Sequence, residues 1–482
     1  MPKVVVATCS MKGHIMPNVK LANYLATLPN FEVHFITDKK EIASPLPAAP
    51  VINHLPEADE VPPDGIEAIE DIFAKVALHP KSTNMLWSLY LMVGMYYAVD
   101  KKKNPPISPG RVYFVAMQKY IYKTCMELKP DILLAETHYD HCNGMQTFCK
   151  KNGIPLLKLL NPGRPDPCFH PEVMQKAFFP DICTGLAVQK EFMAYIPELQ
   201  VAGGFAQEDW VQSGNAMNIL PGCNGLVEVE QNPWEFQVGP FVELPGMMKD
   251  VPPPKHEAMD FINSAGDEPV VYIAFGTLVV LNPTLVKALV EGLKDVRCKV
   301  LWSIPEVQQQ LLPGGLTGPK WCIQKFVPQP AVLRSEKVKC FISHCGNSST
   351  HEAMSTGTPM VCVPYLGDQT DWAKSICEYL KCGITIHKVK GTPAQVKDAV
   401  TKILTDPSFA ENAKKAQEKV MTESLSPEIP PGEMGVAAVG RVILEVLGGR
   451  DYPGERLAIV EAKKKEEEAK NPPKKKSFCT IL

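Results

Sequence analysis

No run of this chain stays apolar for the roughly 20 residues that a membrane-spanning helix needs. The nearest approach, residues 85–99, is interrupted by Ser88, Tyr90 and Gly94, so no spanning helix is expected. An excess of one charge sign is missing too. The 50 Lys and Arg face 53 Asp and Glu, a formal net charge of −3, which argues against non-specific nucleic-acid binding. The 15 cysteines are odd in number and contain no Cys-x-x-Cys pair. That pattern argues against a disulfide framework and reads as reduced thiols in a cytoplasmic protein. Asp-x-Asp is absent. The opening residues, MPKVVVATCS, read as a strand and lack the architecture of a signal peptide. What is present is a globular balance, 45% hydrophobic and 21% charged over 482 residues, in a chain long enough for two domains of ordinary size.

Short apolar runs alternate with helical patterns along most of that length. Residues 4–8 form a buried strand by composition and residues 18–28 a helix, which puts His14 on the loop between them. Further strands are predicted at 32–37, 131–135 and 218–228, and helices at 66–97 and 109–128. Glu136 closes the strand at 131–135, and the loop behind it carries His138, Asp140, His141 and Cys142. Ligands crowded into one loop rarely complete a metal site, and no second cluster accompanies them. Pro and Gly punctuate residues 244–254 and set a domain boundary there. Beyond it, residues 269–275 form a buried strand running into Gly276-Thr277, and strands and helices again alternate at βαβ spacing. The reading is an α/β protein of two Rossmann-like domains, residues 1–245 and 255–432. A helix within 433–450 and a charged, disordered tail over 451–482 follow.

The second domain holds the stretch that the rest serves. Residues 338–343, VKCFIS, are a buried strand that stops at His344-Cys345-Gly346. Asn347, Ser348, Ser349 and Thr350 follow as cap-type residues, and a helix carrying Glu352 begins. A strand, a glycine turn and a helix N-terminus make an anion site, because unpaired N–H groups and about half a positive charge face outward. Glu352 could accept from ribose hydroxyls. Asp368-Gln369, beyond the next strand at 359–364, offers an acceptor and an amide where a sugar would lie.

From Phe326 to Gln369 this stretch resembles the nucleotide-sugar signature of the family 1 UDP-glycosyltransferases. The matching residues are Phe326-Val327-Pro328-Gln329, His344-Cys345-Gly346, Ser349, Glu352 and Asp368-Gln369. Phe326 stands where the family usually has Trp and still offers a face for stacking. Asn347-Ser348 stand where Trp-Asn is common, and Trp372 where many members have Asn. At the other end, Gly13-His14-x-x-Pro17 resembles the start of the same family.

The resemblance implies the GT-B architecture, two Rossmann-like domains facing each other across a cleft, the first for an acceptor and the second for a UDP-sugar co-substrate. It implies that His14 is the general base, oriented by a carboxylate. Strand alignment points to Glu136 for that carboxylate; counting back from Gly153-Ile154-Pro155 points to Asp140. Phe326 would stack on uracil, with main chain near Val327 reading its edge. Gln329 and Glu352 would hold the ribose, and Thr277, His344, Gly346, Asn347, Ser348 and Ser349 the diphosphate. Asp368 and Gln369 would fix the sugar, with glucose the first candidate. No cofactor and no metal are implied; a metal-dependent sugar transferase would carry Asp-x-Asp. Trp87, Tyr90 and Met95 lie on a helical stripe that reads as core by spacing and that walls the acceptor cleft in this fold. The expected activity is inverting transfer to a hydroxyl of a lipophilic small molecule. The alternatives are another GT-B enzyme, such as a nucleotide-sugar epimerase, and a non-catalytic membrane-tethered binding protein.

The chain ends Cys479-Thr480-Ile481-Leu482, behind Lys474, Lys475 and Lys476. A cysteine four from the end, followed by Ile and a final Leu, fits a geranylgeranylation signal. The basic cluster supplies the second attraction that a single lipid chain needs. The expectation is a cytoplasmic protein attached peripherally to a cytosolic membrane face.

Overall fold

A computed structural model describes residues 1–9, 12–38, 51–57, 60–61, 109–136, 144–159, 217–220, 226, 235–241, 254–277, 279–314, 316, 318–366, 368–422, 426, 428–430 and 433–470. The first half supplies β1 (Lys3–Ala7), α1 (Lys12–Thr27), β2 (Glu32–Ile36), β3 (Ile52–His54), α2 (Pro109–Leu128), β4 (Ile132–Glu136), α3 (Gly144–Asn152), β5 (Leu156–Leu159), β6 (Met217–Leu220) and β7 (Glu235–Gln237). Its strands form one sheet in the order β3-β2-β1-β4-β5-β6-β7. Val4, Val5 and Val6 in succession are fully buried, as in a parallel strand covered on both faces.

The second half begins with α4 (Glu257–Asn263), β8 (Val270–Ala274), α5 (Pro283–Lys294), β9 (Lys299–Ser303), α6 (Glu306–Gln309), β10 (Trp321–Gln324) and α7 (Gln329–Leu333). It continues with β11 (Val338–Ser343), α8 (Asn347–Thr356), β12 (Met360–Cys362), α9 (Gln369–Lys374), β13 (Gly383–Thr385), α10 (Pro393–Thr405) and α11 (Pro407–Thr422). The sheet order is β10-β9-β8-β11-β12-β13.

Both sheets are doubly wound, and each reverses direction once. The reversal falls between β1 and β4 in the first sheet and between β8 and β11 in the second, and at such a point a crevice opens beyond the carboxyl ends of the strands. Ala7 lies beside Ala135 there, and Ala274 beside Ser343. The segments leaving these four residues therefore border the two crevices.

The chain then returns. In α12 (Val436–Leu447), Ala438, Val439, Val442 and Ile443 join the apolar cluster of Val4, Val6, Leu21 and Leu25 under the first sheet. A Cβ on Gly440 would lie 3.1 Å from the Tyr24 ring, so the bare backbone lets α12 settle against α1.

Two expectations are corrected. The first helix does not wait for residue 18 but starts at Lys12, so His14 sits in its first turn and not on a loop. Pro17 withholds an N–H from the Gly13 carbonyl, but its fixed φ is helical. The Asn18 amide next to it donates to the His14 carbonyl at 3.0 Å. The tail is also not disordered from residue 451: α13 spans Tyr452–Lys470. Its Lys, Glu and Ala run is made of good helix formers, and its start is anchored. The buried Tyr452 ring meets Phe236 edge-on at 4.6 Å, and the Arg450 guanidinium bonds Glu445 at 2.6 Å and Glu455 at 3.1 Å. Residues 66–97, the boundary at 244–253 and the chain end from 471 lie outside the described residues. Among the described residues no helix is long and apolar enough to cross a membrane.

Candidate active site

The first crevice brings a histidine and a carboxylate together. The sheet sets β4 beside β1, and Glu136 is the last residue of β4 while His14 is in the first turn after β1. The Nδ1–H of His14 donates to Glu136 Oε1. The other oxygen of Glu136 accepts from the Thr8 hydroxyl at 3.1 Å and from the Cys9 N–H at 3.3 Å. Asn18 Nδ2 also reaches Thr8 Oγ1 at 2.9 Å, so one buried amide braces both partners of the pair. Burial alone would lower the imidazole pKa. The charge and hydrogen bond of Glu136 outweigh it, and Asp368 adds to them, so His14 is held above its ordinary value. Of the two carboxylates weighed from the sequence, Glu136 is the one against the imidazole; Asp140 lies outside the described residues. Cys9, His14 and Glu136 also bring ligand-type atoms within 4.8 Å of one another, two of which, on His14 and Glu136, are bonded to each other.

The second crevice has the form of a cradle. No side chain caps α8, and its first intrahelical donor is the Thr350 N–H, bonded to the Gly346 carbonyl at 2.9 Å. The N–H groups of Asn347, Ser348 and Ser349 thus have no acceptor within the helix. The His344 imidazole fills the space above two glycines. A Cβ on Gly276, which has φ +67°, would lie 2.8 Å from Cε1, and one on Gly346 would lie 2.5 Å from Nε2. Burial pushes the His344 pKa down to about 4, so the ring is neutral near pH 7. Cys345 turns the chain in the left-handed region at φ 63°, and its N–H donates to Ser343 Oγ at 3.3 Å. Thr277 is exposed at the end of β8, across from this turn.

Beside the cradle, Gln329 gathers three partners. Its amide donates to Ser349 Oγ at 3.1 Å and to Glu352 Oε2 at 2.7 Å, and its carbonyl accepts from the Tyr272 hydroxyl at 3.0 Å. Phe326 presents a ring that is 68% exposed, whereas Val327 is buried and its carbonyl accepts from the Gln329 N–H at 2.8 Å. At the far end, Asp368 Oδ2 accepts from the Trp372 indole at 3.0 Å. Gln369 Oε1 accepts from the N–H groups of Tyr365 and Leu366 at 2.9 and 3.1 Å, which leaves its NH₂ end for a ligand. Tyr272, Trp372, Thr8 and Asn18 were not picked out as site residues from sequence. Each acts through a contact distant in sequence or reads locally as core, and only the departure of Trp372 from the usual Asn marked its position.

The crevices face each other. Asp368 is near enough to His14 to raise its pKa, and Lys20 Nζ on α1 lies 4.0 Å from Glu352 Oε1 on α8. Trp87, Tyr90, Met95 and Cys479 lie outside the described residues.

Residues 234–419 match the family model described as UDP-glucoronosyl and UDP-glucosyl transferase. Over that segment the chain is similar to the UDP-glycosyltransferases. It is 31% identical over 172 residues to UDP-glycosyltransferase 74C1 of Arabidopsis thaliana, which covers 35% of this chain and 37% of that protein. It is 35% identical over 131 residues to mogroside I-E synthase of Siraitia grosvenorii, 27% of this chain and 28% of that one. The chain thus spans little more than a third of the length of these two proteins, or less. The fold likeness runs further. The structure of UDP-glucose:anthocyanidin 3-O-glucosyltransferase with UDP aligns over 93% of this chain and 99% of its own, with TM-score 0.62 and 18% identity. The calicheamicin glycosyltransferase CalG4 aligns over 93% and 98%, with TM-score 0.62 and 16% identity. The architecture is GT-B.

Proposed function

We propose that the chain is an inverting, metal-independent glycosyltransferase that moves a hexose, glucose first among the candidates, from a UDP-sugar to a hydroxyl of a lipophilic small molecule. One observation supports this above the others. The charge of Asp368, in the opposite half, acts on the imidazole held by Glu136, and on this reading a base and a sugar-binding carboxylate face one site. On this reading Phe326 stacks on uracil, and the main chain near Val327 reads its edge. Gln329 and Glu352 hold the ribose. Thr277, His344, Ser349 and the amides from Gly346 to Ser348 surround the diphosphate, and Asp368 and Gln369 hold the hexose.

The acceptor hydroxyl gives its proton to His14 as its oxygen attacks the anomeric carbon from the face opposite UDP. The bond from that carbon to the diphosphate oxygen breaks in the same displacement, which inverts the centre. Glu136 stabilises the imidazolium that forms, as a carboxylate partner does for a histidine base. The departing diphosphate meets helix N–H groups already in place. His344, whose ring is neutral near pH 7, can donate one ring N–H there, and the arriving negative charge pulls its pKa upward. The glucose assignment draws support from relatives named as glucosyltransferases, among them flavonol 3-O-glucosyltransferase of Arabidopsis thaliana.

Purified protein incubated with several UDP-sugars and a lipid extract is expected to yield a hexose-bearing product by mass spectrometry, most abundantly from UDP-glucose. Consumption of UDP-sugar with no acceptor-linked product would count against the reading. The same proposal sets the protein on a cytosolic membrane face through a geranylgeranyl group on Cys479, supported by the four terminal residues and the lysines before them. The C-terminal peptide from a eukaryotic host should carry the added mass of that group; an unmodified peptide rejects the attachment.

A further inference from the structure

We propose that Lys20 is a positioning residue that couples ribose recognition in the second half to the placement of α1, the helix of the base, in the first. The inference rests on the UDP-sugar reading above. Lys20 follows His14 by six residues on α1, about 9 Å along the helix axis. Its ammonium makes two contacts, one of them out of its own half. Nζ lies 4.0 Å from Glu352 Oε1, and it donates to the Phe241 carbonyl at 3.3 Å. Phe241 is the last described residue of the first half before the chain passes to the second.

Glu352 therefore stands between the halves. Oε2 accepts from Gln329 of its own half at 2.7 Å, and Oε1 faces the cation of the other. The side chains are 29% and 11% exposed, so water and salt screen the pair less than they would at the open surface. A carboxylate has about four acceptor positions; ribose hydroxyls can add to Glu352 while Lys20 stays. The lysine keeps the carboxylate aimed, and ties the occupied ribose site to α1. Nothing in this arrangement requires Lys20 to touch the nucleotide, so its effect passes through the ribose hydroxyls and not through uracil or phosphate.

Calorimetric titration of the full chain with UDP and with 2′,3′-dideoxy-UDP isolates that route. Lys20→Met is expected to weaken UDP about fivefold, near the upper range for a partly exposed ion pair, and to leave the dideoxy nucleotide unchanged. Lys20→Arg should recover most of the UDP affinity. UDP should also slow amide hydrogen exchange along α1 in the native protein and not in Lys20→Met. Equal losses for both nucleotides, no loss for UDP, or the same protection of α1 in both proteins overturns the inference. Native protein that binds neither nucleotide would instead remove the donor site itself, and the role of Lys20 with it.

Discussion

Glu136→Gln keeps the shape of the buried partner and removes its charge, so it separates the two influences on His14. In the native pair the carboxylate holds the imidazole above its ordinary value of about 6.5 against the effect of burial. A base must be unprotonated, so the transfer rate should rise with pH through that raised value, with its acid limb above 6.5. In Glu136→Gln burial dominates and the limb moves to lower pH. The plateau should fall as well, because the imidazolium of the transition state loses its counter-charge. A pH–rate profile of the two proteins checks both; a limb that stays in place would separate His14 from the observed titration. The sign for stability follows from the same shift. The group is raised in the fold, so the pair stabilises fully below about 6.5 and loses that contribution as pH climbs through the folded value.

At the scale of elements, the proposed donor cradle depends on α8 beginning bare at Gly346 with the His344 ring against it. Gly346→Ala places a methyl 2.5 Å from Nε2 of His344, and one of the two must move. UDP affinity should drop about tenfold, roughly 1.4 kcal/mol, read by titration; undiminished affinity would mean that His344 does not shape the cradle. This element was also the most legible in sequence. Its strand, turn, cap residues and helix are neighbours along the chain, so 338–352 carries its own structural instructions. The base pair was half legible. His14 follows its strand directly, but its partner depends on which strand the sheet sets beside β1, and strand alignment favours Glu136 over Asp140 only slightly. Tyr272, Trp372 and Lys20 became visible only in the fold, because a strand tyrosine, a core tryptophan and a helical lysine look ordinary until their partners arrive. The charged tail misled for a related reason: Lys–Glu composition reads as solvated chain, and the packing of Tyr452 on Phe236 that starts α13 lies more than two hundred residues away in sequence.

The molecule as a whole is two doubly wound sheets whose switch points open toward each other. The returning helix α12 packs on α1, and the Lys20–Glu352 pair crosses the gap. Neither half suffices for the proposed chemistry, since the first offers a base without a leaving-group cradle and the second a cradle without a base. That division is directly measurable in His14→Ala, with the transfer rate and the affinity for UDP determined on one preparation. The expected result is a loss of transfer by about 10²–10⁴, the usual worth of a positioned general base, while UDP binds as in the native protein. Unchanged turnover would contradict the account.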